Sequence, residues 1–450
     1  MIHIENTQEF LSHLKELILN SDHQAISILF EGLHHADLAE VLEDLSFDEA
    51  VFIIRLLDTE KTSEILMELD EDTREKILQE LSSKEIAKEI GELDSDDAAD
   101  IIGELPDEQK NEVISQIEDV EHAKDIVDLL RYDEDTAGGL MGKELIKVNE
   151  NWTNLHCVKE MRKQAEDYDK VHTIYVVDDN DVLKGRLSLK SLLTTSTKTP
   201  VKDVYNPNIK FVRADENDED VAKTMQKYDL FVVPVVDEMN RLIGQITLDD
   251  IVDVIRDEAD RDYQIAAGIT DDVEADDSIL QLTKARLPWL VLGLLGGLGA
   301  ASIMGGFEEA LKSYPKLFFF TPLIAAMAGN VGVQSSAIMV QGLANNNIKG
   351  SVFSRLLKEI GLTVLNGLAL ALLVSIYGFF QIENGIITMV IGIALMIVIT
   401  IAAVVGTFIP ILLDRNGIDP ALATGPFITT SNDIFGILIY FMIAKMMLGF

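Results

Sequence analysis

The 450-residue sequence has one cysteine, Cys157, so neither an intrachain disulfide nor a thiolate metal site is available. Histidine stops early: all eight lie before residue 173, which leaves the later part without an imidazole relay or an imidazole-lined zinc path. Proline is missing until Pro106, and residues 1–130 accordingly read as all-helical. Signatures of chemistry are missing as well. There is no Walker loop, no His-Glu-x-x-His and no plausible nucleophile–base pair, so the chain is not expected to be an enzyme. No basic leader precedes an apolar core at the N-terminus, so no cleavable signal is expected and the first 280 residues are expected to stay in the cytosol. Charge is scarce at the other end, where residues 283–450 carry nine Lys/Arg and seven Asp/Glu.

The charge is concentrated instead in the first 282 residues, which hold 28 Lys/Arg against 69 Asp/Glu, a net of −41. So acidic a surface excludes nucleic acid and points to divalent cations or basic partners. Within it runs a repeat of twelve: Leu33, Leu45, Leu57, Leu69, Leu81, Leu93 and Leu105, extended by Ile117 and Leu129. Helix-start patterns follow several of them, in Ser46 with Glu49, Ser82 with Glu85 and Asp94 with Asp97. Short helices with one apolar stripe cannot bury themselves alone, so a stacked, superhelical array is expected over residues 1–130.

A second repeat occupies 131–200 and 201–258. Tyr175-Val-Val-Asp and Pro234-Val-Val-Asp begin matching segments 59 residues apart, each an apolar strand, an Asp/Asn turn, a strand containing Gly185 or Gly244, and a helix start. This resembles a tandem pair of CBS domains (a Bateman module), a resemblance that implies an adenosine-nucleotide cleft such as one for ATP. The Thr/Ser-x-x-Asp pattern that holds a ribose survives as Thr247 and Asp250, whereas the first copy has Ser188 and Ser191. Residues 259–283 read as a charged connector helix that includes Asp271, Asp272, Glu274 and Asp276.

From 284 the sequence is membrane-like, with spanning candidates at about 287–306, 317–344, 356–380, 386–413 and 421–448, each long enough for a hydrocarbon core of roughly 30 Å. Lys284, Arg286, Lys349, Arg355, Lys358 and Arg415 fall on one side and Lys312, Lys316 and Lys445 on the other. The bias orients the N-terminus to the cytoplasm and the C-terminus outside. Asp433 lies near the middle of the last span, and a carboxylate there survives only against a bundle interior, a partner or a watery path. Lys445, twelve residues away on the same span, cannot reach it. The second span reads as interrupted, with Pro322, then Gly329 and Gly332 for close packing or exposed carbonyls, and Asn330 and Gln334 four apart on one face.

Gly329-Asn-x-Gly-x-Gln334, Gly417-Ile-Asp-Pro-Ala421, Ser431-Asn-Asp433 and the order of domains together resemble the MgtE family of magnesium channels. The expected architecture is multidomain: an all-α superhelical N domain, an α/β tandem CBS module, a connector (plug) helix and a five-helix α transmembrane domain at 284–450. The resemblance implies a homodimer in the cell (inner) membrane, with a Mg2+ pore on the two-fold axis lined by Asp433, Asn330, Gln334 and Gly329, and Asp419 at a cytoplasmic mouth. It further implies closure by regulatory Mg2+ held by Glu64, Asp96, Asp100, the Gly138 and Gln226 carbonyls, Asp229, Asp250, Asp253, Glu258 and Asp262. Asp250 is thus claimed both by this cation set and, with Thr247, by the nucleotide pattern. A carrier selective for Mn2+ or Co2+ and a non-conducting, membrane-anchored nucleotide sensor are the alternative readings.

Overall fold

The computed structural model describes residues 7–166, 168, 171–270, 273, 275, 277–344, 351–382 and 385–450. Asp271, Asp272, Glu274 and Asp276 of the connector, and Lys349, lie outside them. The chain divides into two units, Met1–Ile255 and Arg256–Phe450.

The first unit begins with α1 (Thr7–Leu19), α2 (His23–Phe30), α3 (His35–Glu43), α4 (Phe47–Ile54), α5 (Thr59–Glu68), α6 (Glu71–Glu80), α7 (Ser83–Ile90), α8 (Ser95–Glu104), α9 (Asp107–Ile114) and α10 (Val120–Leu129). The repeat leucines up to Leu105 sit in the junctions, not on the helix stripes. The N–H groups of Leu45, Leu69, Leu81 and Leu105 close back on the final turn of the helix before them, and the next residue starts a new helix. Ser46 donates its N–H and hydroxyl to Glu49 at 2.9 and 2.7 Å, Ser82 does the same with Glu85, and Asp58 and Asp70 cap their helices directly. Helices two apart pack together, α3 on α5, α5 on α7 and α7 on α9, as in a superhelical stack.

Arg74 locks this stack. Its Nε lies 3.0 Å from both Glu104 oxygens and its Nη1 donates to the Leu66, Met67 and Leu69 carbonyls at the end of α5. Both side chains are almost buried, at 13% and 14% exposure, so removing one strands the other. Arg74→Ala is expected to destabilise this unit by about 3–5 kcal/mol, read as a lower thermal midpoint of the first unit's unfolding.

Two three-stranded sheets follow: β1 (Ile146–Asn149), β2 (Ile174–Val177) and β3 (Leu183–Leu187), then β4 (Val212–Arg213), β5 (Val232–Val236) and β6 (Leu242–Thr247). In each, the first pair is parallel and the second antiparallel, with a bulge at matching places, Val176/Val177 and Val235/Val236. Their helices are α11 (Asn154–Gln164), α12 (Leu189–Thr194), α13 (Asp218–Tyr228) and α14 (Leu248–Ala267). Asp181 and Asn240 take left-handed backbone at the two hairpin tips, the conformation Asp and Asn tolerate best. The tips exchange backbone bonds, Leu183 N–H to Asn240 O at 3.0 Å and Leu242 N–H to Asp181 O at 2.9 Å. One apolar core runs from α1 through the helical stack into the second copy, while the first copy has its own, holding Cys157 against Met161. Helix α14 passes unbroken through residues 258 and 259: it starts at Leu248 and ends in a Gly268 turn.

The second unit holds five helices long and apolar enough to cross a membrane. They are α15 (Ile279–Gly305), α17 (Thr321–Ala344), α18 (Val352–Gln381), α19 (Gly385–Asp414) and α20 (Gly425–Leu448), with a short α16 (Glu308–Ser313) between the first two. Helix α19 is the most enclosed and packs on α17, α18 and α20. Helix α17 is continuous, so the expected interruption at 327–336 is not there. Pro322 sits in its first turn, where a missing N–H leaves no bond unmade. Gly329 and Gly332 serve packing. A Cβ on Gly406 of α19 would collide with the Gly332 carbonyl, and the buried Asn432 of α20 rests on Gly332 from the other side. Gly406→Ala must therefore push two backbones apart. We expect a loss of about 1–3 kcal/mol, seen as earlier loss of the monodisperse gel-filtration peak on heating in detergent.

Candidate cation sites

In the first unit, α8, the loop before β1 and the start of α14 enclose a cavity of about 270 Å³ walled by Asp94, Asp96, Asp97, Glu144, Asp249, Asp250 and Asp253. Local structure aims these groups. Asp96 and Asp97 occupy the first turn of α8, where the helix dipole favours acids. The expected Asp94 cap is not made. Glu144 replaces it from a distance in sequence, accepting from the Ser95 N–H at 3.0 Å and its hydroxyl at 2.9 Å. Asp250 Oδ2 accepts from the Thr247 N–H and hydroxyl at 2.9 and 2.7 Å, which starts α14. A methyl group placed on Gly142 would lie 2.7 Å from Asp96 Oδ2 and 3.0 Å from Glu144 Oε2, so two carboxylates converge on one point.

Crowding has an electrostatic cost. Burial, then the neighbouring Asp250, raises the Asp96 carboxyl well above the usual range, and the same two causes push Asp97 up to about 7. Asp250 is raised by burial against the pull of Thr247. Asp100, more open to solvent, rises to about 7 through desolvation and Glu134. Such shifts favour the neutral form of these groups over the ionised one. Among the described residues no three His, Cys, Asp or Glu side chains form a ready-made coordination shell.

Of the cation ligands carried over from sequence, the cavity gathers Asp96, Asp250 and Asp253. Glu64, Asp100, Gly138, Gln226 and Asp229 do not line it. Glu64 instead meets His35 Nδ1 at 3.0 Å, with Glu68 at 3.3 Å from Nε2 of the same ring. Asp229 ends α13 in left-handed backbone, its N–H toward the Gln226 carbonyl at 3.5 Å. Gly138 is wedged against the Tyr132 ring. In the second unit, Glu258 lies 3.8 Å from Arg261, and Asp262 is exposed one turn beyond. Sequence reasoning missed Asp97 and Glu144. Asp97 was readable, as the neighbour of Asp96 on one helix turn. Glu144 was not, because its role depends on a contact 49 residues away.

The first copy's cleft is of the opposite character. It has about 600 Å³, lined by His172, Arg186, Ser188, Ser191 and Asn206, with no carboxylate among the described residues. Ser188 and Ser191 hydroxyls lie 2.7 Å apart.

In the second unit, Asp433 is half-buried on α20 and faces α17. A Cβ on Gly329 would stand 3.6 Å from Asp433 Oδ1 and 3.2 Å from Thr429 Cγ2. Gly329 is buried in this contact, whereas Asn330 and Gln334 are exposed on one face of α17, in line with Pro322, Ala326 and Ile338. Asp419 is exposed and caps the short Pro420–Ala423 turn through the Ala421 N–H at 2.8 Å.

Comparison with known proteins fits this division. The family models that match are an intracellular N domain of MgtE over residues 33–135, CBS domains over 137–197 and 201–257, and a divalent cation transporter, MgtE, over 321–443. The chain is 37% identical over 323 residues to the magnesium transporter MgtE of Thermus thermophilus, covering 71% of this chain and 72% of that one. The chain belongs to the MgtE family. The Enterococcus faecalis magnesium transporter MgtE is similar at 38% identity, with 73% of each chain covered. Among solved MgtE structures, the cytosolic domain of the Mg2+ channel MgtE in complex with ATP has 33% identity and a TM-score of 0.51, covering 54% of this chain and 99% of that one.

Proposed function

We propose that this MgtE-family chain is a passive Mg2+ channel of the cell membrane. It works as a homodimer, with its N-terminus in the cytoplasm and its C-terminus outside. The observation that carries the reading is Asp433, a carboxylate within a membrane-length helix, set against Gly329 of α17, a helix whose exposed face carries the amides of Asn330 and Gln334. A two-fold axis along that exposed face pairs two Asp433 carboxylates. Amides and carbonyls bond the ion's water shell without replacing it, which suits an ion that sheds water reluctantly. A non-conducting anchor has no use for such an acid. The experiment is Mg2+ flux into liposomes holding the purified chain, with and without Asp433.

Cytosolic Mg2+ closes the channel by binding the carboxylates of the first unit, including Glu64, Asp100 and Asp229, and the Gly138 and Gln226 carbonyls, while Glu258 and Asp262 add acids from the second unit. Ions that bind one arrangement better shift the balance toward it, about 1.4 kcal/mol for each tenfold preference. ATP acts in the first copy, not at Thr247 and Asp250. Asp250 belongs to the acidic cavity, where a polyphosphate meets Asp96 and Asp97, whereas Arg186 offers the other cleft a cation.

A further inference from the structure

A second acid lies within the membrane helices, on α18. Glu359 is half-buried two turns into that helix and accepts the Ser335 hydroxyl of α17 at 2.6 Å. The next residue, Ser336, donates to the Ala423 carbonyl at 2.6 Å, in the turn that leads into α20. Both serines are buried, and Ser335 directly follows Gln334. The other close approaches of α17, at Gly329 and Gly332, are smooth glycine contacts without direction. Between helices in a bilayer there is little hydrophobic drive to settle rotation, so directional polar ties decide it. Side chains reach about 5–6 Å from a helix axis, so a 20° turn of α17 moves Asn330 and Gln334 by about 2 Å. A shift of that size is enough to spoil contact with a hydration shell.

We propose that Glu359 is a positioning residue for cation conduction: by accepting the Ser335 hydroxyl it fixes the rotation of α17, and so the direction of Asn330 and Gln334. The inference rests on the reading of those two amides as pore-lining.

The test uses the full chain in liposomes, with Mg2+ flux measured across Mg2+ concentrations and against Mn2+. Ser335→Ala and Glu359→Ala are each expected to raise the half-saturating Mg2+ concentration about threefold to tenfold, the scale of one lost hydrogen bond. Both are expected to lower the preference for Mg2+ over Mn2+. The double variant should be no worse than either single one, and Glu359→Gln, whose amide oxygen still accepts from Ser335, should behave as wild type. Unchanged half-saturation and preference in Glu359→Ala overturn the proposal. So does a Glu359→Gln variant as impaired as Glu359→Ala, because then the charge itself acts, and so do additive effects in the double variant. Asp433→Asn run alongside separates the two readings: if it conducts normally the pore assignment has failed, whereas its loss of flux with a normal Glu359→Ala removes only the positioning role.

Discussion

Asp433→Asn is expected to cut Mg2+ flux into liposomes roughly hundredfold, with the protein still extracted as a monodisperse species. Asparagine has the same shape and leaves the contact with Gly329 in place, so only charge is removed. At an effective dielectric near 20, a carboxylate about 5 Å from the ion contributes about 3 kcal/mol for each unit of ionic charge. The paired copies lose it twice. Asp433→Glu keeps the charge but lengthens a side chain already in contact across α17, and a partial loss is expected. Flux at the wild-type level in Asp433→Asn would end the pore assignment.

The second large effect is in the acidic cavity. The folded carboxyls of Asp96, Asp97 and Asp250 lie above their unfolded values, that of Asp97 at about 7 against an ordinary 3.8. The folded arrangement therefore binds more protons than the unfolded chain between about pH 4 and pH 7, and stability falls as pH rises through that window. Without metal, protease protection of the first unit should be greatest near pH 5 and least near pH 8. Mg2+ competes with those protons, so its added protection should be large at pH 8 and small at pH 5. At one hundred times its dissociation constant a single ion adds about 2.7 kcal/mol. The triple variant Asp96→Asn, Asp97→Asn, Asp250→Asn should be more stable than wild type in chelator at pH 8, yet deaf to Mg2+, and its channel should stay open at high internal Mg2+. A Mg2+ response equal to wild type in that variant would sink the cavity as the sensor.

Local chemistry carried most of what could be read from sequence. The twelve-residue leucines lie at the helix junctions up to Leu105, several of which share the same cap chemistry, and the offset of 59 matched the bulged antiparallel strand pairs of the two sheets. Asp433 was legible because one charge in an apolar run has few explanations. The illegible parts are all long-range. Glu144 capping α8, Glu359 bonded to Ser335, and Arg74 bridging α5 to α8 each join residues at least 24 apart, and no local preference announces them. The glycines of α17 misled for a related reason. In isolation they signal a break, and only the neighbouring Gly406 and Asn432 show that they are sites of close approach.

The exchange between the hairpin tips has an evolutionary corollary. Leu183 to Asn240 and Leu242 to Asp181 are backbone bonds, indifferent to side-chain identity but not to spacing. An insertion or deletion in either hairpin would break both at once, whereas any substitution elsewhere leaves them whole. The duplicated halves were therefore free to drift in chemistry and bound to keep the same length. One cleft is acidic around Asp250 while its twin carries Arg186 and Ser191, with the two hairpin tips still bonded to each other.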